Sequence, residues 1–259
     1  MLTPEELEVL PEYIRPIYQQ FEEFVIKDMA RRIEKASKVT ETVQWQAERA
    51  EALGISKGHI QQELAKTLKK SEKEIADLFY EAAYMSISQE NKIYQQAGVI
   101  QSDLDLVAMT PELERIVQAT IKQTNKELKN FTRSLGFARI VNGETQYVDL
   151  SGMLINALDY THFQISSGVV DPVTGIRQAV QQLVTSGVRY VDYKSGWSNK
   201  LDVAVRRAVM SGLNEMTNKM TLARMEELGA EYVEVSAHST ARPSHAAWQG
   251  QVYCYKGKG

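Results

Sequence analysis

Arg139-Ile140-Val141-Asn142-Gly143-Glu144-Thr145-Gln146-Tyr147-Val148 is the stretch that decides the fold class. Two short runs, Arg139-Ile140-Val141 and Gln146-Tyr147-Val148, flank Asn142-Gly143. Asn-Gly is favoured in two-residue hairpin turns because both central positions need positive φ. The hairpin signal follows a long helical reading and opens a second half of mixed texture. The expected fold is therefore mainly α. A helical bundle or extended helical arm spans residues 1–135, and a smaller α+β domain with short antiparallel strands spans residues 136–259. The expected boundary lies near Gly136.

Upstream of the hairpin the pattern is helical. Thr3 caps a first turn, with Pro4 at the first helical position and Glu6 completing a capping box. Pro11 and Pro16 interrupt that start. Beyond Pro16, Ile17, Phe21, Phe24, Val25 and Ile33 recur near helical spacing. A second helix is expected from about Glu41 to Leu53, closed by Gly54, and a third from Ser56 to about Ala97 before Gly98. Thr110-Pro111 opens another that is expected to reach Leu135.

Downstream, Asp149 or Ser151 caps a helix through Ser166, and Pro172 to Ser186 is a helix stopped by Gly187. Val188 to Tyr193 alternates like a strand, and Lys194-Ser195-Gly196 is a turn. Asn199 is the expected cap of a long helix through Leu228, closed by Gly229, with Tyr232 to Val235 as a last strand.

Composition narrows the function classes. The chain has 259 residues, a hydrophobic fraction of 43%, a charged fraction of 24% and a formal net charge of −3. That balance gives no global drive toward nucleic acid or anionic membrane. The single cysteine, Cys254, cannot build an internal disulfide, which fits a reducing compartment. The N-terminus lacks the basic and apolar regions of a signal peptide, and no apolar run approaches the ~20 residues that span a bilayer. Synthesis and assembly in cytoplasm, without a membrane partner, are expected. No P-loop, HExxH or Ser/His/Asp pattern is present.

The most unusual chemistry lies between Ser236 and Gly250. His238 and His245, with Arg242, Pro243 and Trp248, fall within a few residues of one another. Pro243 suits the start of a short helix and Gly250 its end. His245 and Trp248, three apart, would share one helical face. A buried hydrogen-bond network, with Trp248 in the core, is one expectation. A zinc-type site on His238, His245 and Cys254 is another, although two histidines alone do not make a site. A third is capture of a phosphate or carboxylate by Arg242. Cys254 paired with a histidine as nucleophile lacks a supporting motif. His59 and His162 fall on helices, where structural or solvated roles are expected. Arg206-Arg207 forms a small basic patch, either paired with Asp202 or Glu215 or available to DNA or an acidic partner.

The stretch from Val188 to Tyr253 resembles the type 2 minor capsid proteins of tailed phages and Gram-positive prophages. The matching pieces are Tyr193-Lys194-Ser195-Gly196, Leu201 to Arg207 and Leu222 to Gly229, with Ala237-His238 followed by Ala241 to Gly250. Leu10 to Ile14, Ala30 to Ile33 and Gly136-Phe137 extend the likeness along the chain. It implies a low-copy, non-enzymatic head protein, encoded beside the portal protein and bound to it, that serves head assembly and DNA packaging or delivery. The implied partners are portal protein, major capsid protein or scaffold, and packaged DNA. The implied location is the capsid interior or portal vertex of the virion. Two departures stand out. Trp197 replaces an arginine common in the family after Ser-Gly, and relatives usually continue into a Gly-rich segment bearing Cys and His. A chain ending at Gly259 is thus expected to be truncated relative to them. Some relatives carry toxin-like domains downstream. A metal-dependent hydrolase or truncated toxin module, or a DNA-binding protein of the head interior, remain the alternatives.

Overall fold

The computed structural model describes residues 2–39, 41–100, 109–191, 198–235, 237 and 242–255. Its frame is four long helices. These are α2 (Arg15–Ala36), α3 (Thr42–Gln96), α4 (Pro111–Phe131) and α7 (Leu201–Leu228). A short α1 (Pro4–Val9) precedes them, its Thr3–Glu6 capping box formed in both directions.

Helix α2 shows why the bundle closes. Ile17, Phe21, Val25, Met29 and Ile33 recur every fourth residue and are all buried. Burial of each such side chain contributes about 1.5–3 kcal/mol. Phe24, expected on the same stripe, is only half-buried. The stripe lies antiparallel on α3. Tyr18 Oη stands 3.1 Å from Ser71 Oγ, His59 Nδ1 3.0 Å from Asp28 Oδ1, and Lys35 Nζ 2.7 Å from Glu48 Oε1. Burial pushes the Tyr18 hydroxyl up to about 12 despite the Ser71 contact.

One helix replaces two in the stretch after residue 41. The expected break at Gly54 and cap at Ser56 do not occur, and α3 runs unbroken through Gly54 and Gly58 for 55 residues. Ser56 is buried inside the helix instead of capping one. At 1.5 Å per residue this is about 80 Å, far longer than the neighbours it packs against. Both readings of the helical half therefore hold in part: a bundle, and one member that outruns it. Its first turns are anchored by α5 (Leu150–Ser166). Arg49 grips Asp159 with bonds of 2.6 and 3.0 Å, and Trp45 stacks on His162 with centroids 4.2 Å apart.

The fourth bundle member comes from the second half of the sequence. Helix α7 packs on α4, α2 and α3, and one hydrophobic cluster runs from Leu2 to Met220. The strands begin at Leu135, beside the expected boundary, without interrupting that core. Gly229, left-handed at φ 68°, closes α7 as expected. Asn199 is not its cap. It pairs with Tyr190 in a strand, and Lys200 takes the cap position.

A small antiparallel sheet sits beside the bundle, in the order β2-β1-β3-β4. Its strands are β1 (Leu135–Val141), β2 (Glu144–Asp149), β3 (Arg189–Val191) and β4 (Ser198–Lys200). Helix α4 thus stops four residues short of Leu135, which opens β1 after a 3-10 turn at Thr132–Ser134. The β1–β2 hairpin turns on Asn142 (φ 53°) and Gly143 (φ 82°), as the sequence requires. Asp149 caps α5 through the Gly152 amide, and Asp171 caps α6 (Pro172–Ser186) through the Thr174 amide. The expected strand residues 192–193, the turn at 194–196 and Trp197 lie outside the described residues.

Beyond Gly229 the chain forms a separate ribbon. Strand β5 (Tyr232–Glu234) pairs with β6 (Val252–Cys254), and the one-turn α8 (Pro243–Ala246) lies between them in sequence. None of its described residues joins the hydrophobic core.

Candidate functional site

The ribbon carries what is described of the histidine segment. Pro243 opens α8, whose first bonds run from the amides of His245 and Ala246 to the Arg242 carbonyl, at 2.8 and 3.1 Å. His245 and Trp248 share a face, ring centroids 5.1 Å apart. The indole Nε1 donates to the Ser244 carbonyl at 2.9 Å. Gly250, at φ 67°, turns the chain back, and its amide donates to the Val235 carbonyl at 2.7 Å. Gln251 then accepts from the Val235 amide at 3.0 Å, which aligns β5 and β6.

The environment differs from the expected buried network. Arg242 and His245 are exposed, and Trp248 is 45% exposed. Among the described residues, a two-stranded ribbon with a one-turn helix offers no second layer against which to bury them. His238 lies outside the described residues. Among the described residues no three His, Cys, Asp or Glu side chains gather in a way that could hold a metal ion, and Cys254 is an exposed free thiol.

The arginine pair divides. Arg206 does not pair with Asp202 or Glu215. Its Nε donates to Glu12 Oε1 at 2.7 Å and its Nη2 to the Glu8 carbonyl at 3.3 Å, fastening α7 to the N-terminal turns. Those contacts help hold the Glu12 carboxyl below its usual range, with Arg15 the larger cause. Arg15 also takes Asp202 at 3.1 Å, and Lys219 takes Glu215 at 2.6 Å. Arg207 is exposed.

The other two histidines have structural surroundings. His59 meets both the Asp28 carboxylate and Arg32 Nη2, each at 3.0 Å. Burial alone would raise the Asp28 carboxyl. Hydrogen bonds, those from Arg32 and His59 among them, outweigh it and hold the group below the ordinary range. His162 is the stacking partner of Trp45.

A cleft of about 720 Å³ lies elsewhere, between the β1–β2 hairpin and α6. Arg139, Arg189 and the glutamines of α6 line it. Sequence reading missed it, because exposed glutamines on an amphipathic helix look like ordinary solvated surface.

Neither the curated proteins nor the solved structures compared with the chain show a match. A family model does. The family of phage minor capsid protein 2 matches residues 2–259, the bundle, the small sheet and the ribbon together. No helix among the described residues is long and apolar enough to cross a membrane. The chain thus belongs to the phage minor capsid protein 2 family, and its place is among the structural proteins of a phage head.

Proposed function

We propose that the protein works as a portal-associated component of the head, serving assembly and the packaging or delivery of DNA, and that its role is architectural. The observation that carries this reading is the position of the Arg242–Gly250 segment. It rides on a ribbon outside the core, where Tyr232, Trp248, Val252 and Tyr253 are all exposed. A set of aromatic and aliphatic side chains held in solvent on a small module fits a docking element better than a buried scaffold. The bundle supplies a rigid body behind it, and α3 extends that body along one axis. Major capsid protein or scaffold would be met by the same module or by α3.

The test is co-sedimentation with portal protein in purified heads. The paired substitution His245→Ala and Trp248→Ala removes the shared ring face while touching no core residue. It is expected to cut co-sedimentation severalfold and leave thermal unfolding unchanged. Retention of full co-sedimentation by that variant would move the docking surface away from the ribbon. Failure of the unaltered protein to sediment with heads would end the portal reading.

A further inference from the structure

Strand β1 is only partly used. On its β3 side it pairs through Leu135 and Gly136, and among the described residues no strand accompanies it further. At Ala138 the amide on that side is taken by the Ser186 side chain, at 2.8 Å. N–H and C=O of one residue point to the same side of a strand, and the side alternates along it. The Ala138 bond therefore fixes the phase: the Ala138 carbonyl and both backbone groups of Ile140 face the same open edge. Opposite that edge stands the C-terminal part of α6, which ends at Gly187 just before β3. The 720 Å³ cleft lies between them and reaches over the hairpin face to Thr145 and Tyr147 of β2 and to Met153 and Tyr160 of α5.

Its walls suit an extended peptide. Gln178, Gln181, Gln182 and Thr185 lie at i, i+3, i+4 and i+7, so one stripe of α6 faces the cleft with uncharged side chains. Each glutamine both donates and accepts, as a peptide backbone requires. Arg139 and Arg189 add two positive charges, and no acidic residue among the described ones lines the cleft. Arg189 is held in place by bonds to the Ser186 carbonyl and Ser198 Oγ, at 3.3 and 3.5 Å.

We propose that this cleft binds an extended, acidic segment of a partner protein, which adds as a strand to the open edge of β1. Main-chain pairing supplies affinity in such complexes, and alternate side chains supply selectivity. The arginines select carboxylates on the incoming strand. A nucleic acid would satisfy the two charges but cannot match the alternating donors and acceptors of a strand edge. This site is independent of the ribbon and of the portal reading.

The experiment uses the full chain and a fluorescein-labelled, end-blocked peptide of alternating glutamate and valine, followed by fluorescence anisotropy. Arg139 is exposed, so Arg139→Glu leaves the fold intact, and Ile140→Pro deletes an edge donor without breaking a β1–β2 bond. Each substitution is expected to weaken binding by about tenfold or more. The peptide N-methylated on alternate residues should lose binding in one phase and keep it in the other. Equal binding of both methylated peptides would overturn strand addition, as would no binding of the parent peptide. A duplex oligonucleotide that binds and is lost with Arg139→Glu, while the peptide is unaffected, would replace the proposal with nucleic acid.

Discussion

Gly212 in α7 meets Phe79 in α3 so closely that a Cβ built on the glycine would stand 2.9 Å from the phenyl Cζ. The same atom would collide with Thr124 Oγ1 of α4. One missing side chain thus lets α7 settle against two other bundle helices at once. Gly212→Ala should destabilise the protein by about 1–3 kcal/mol, because an extra methyl must displace well-packed neighbours. Thr124→Ala in the same background should recover part of that loss. Chemical denaturation measures both. An unchanged midpoint for Gly212→Ala would mean that α7 does not pack there.

The glycines of α3 behave in the opposite way. Gly54 and Gly58 lie inside the helix, and a Cβ on either would meet nothing within 4 Å. Alanine at each position should stabilise by about 0.5–1 kcal/mol through helix propensity alone. A helix that ended at a left-handed Gly54 would give the reverse sign. Thermal unfolding of Gly54→Ala therefore separates one long helix from two.

At the other end of the bundle, Arg224 of α7 stands 3.4 Å from Glu90 of α3 with both side chains largely buried. Arg224 also donates to Asn91 Oδ1, and Thr221 Oγ1 donates to Glu90 Oε1 at 2.5 Å. Loss of the arginine removes a cation from beside the buried Glu90 carboxylate, so Arg224→Met should cost about 3–5 kcal/mol. Adding Glu90→Leu to that variant should restore most of the loss. A double variant as unstable as the single one would show that the arginine's own contacts, and not the buried carboxylate left behind, set the energy.

Acid should act through Asp28. Its folded-state carboxyl titrates below the ordinary range. A depressed acid contributes stability that is present above its unfolded pKa and fades as pH falls toward the folded one. Asp28→Asn should lower stability at neutral pH and flatten its decline on acidification. Unfolding followed from about pH 6 down to about pH 3 checks this. Parallel curves for the two proteins would place the acid sensitivity elsewhere.

Much of the local structure was legible because it has local causes. Asn142-Gly143 set the hairpin, and Pro172 and Gly187 bounded α6 at both ends. Gly54 misled because a glycine read as a helix end is tolerated inside a helix held by its neighbours on both sides. The place of α7 in the bundle was not legible, since it depends on fitting Gly212 against Phe79 across more than a hundred residues of sequence. The segment around His245 and Trp248 was found by its composition. Its exposure was not, because burial depends on what a second layer supplies, and among the described residues the ribbon has none. The cleft on α6 was invisible for a related reason: its character comes from the open edge of β1, which only the register of β3 reveals.

The central claim concerns where the protein sits. Cryo-electron microscopy of purified DNA-filled heads, without imposed icosahedral symmetry, tests it most directly when run beside heads whose copy of this gene has been deleted. The account predicts helical density at the portal vertex that is present in the first sample and missing from the second. Identical particles in the two samples, with the protein recovered only from the unassembled fraction of the lysate, would contradict it.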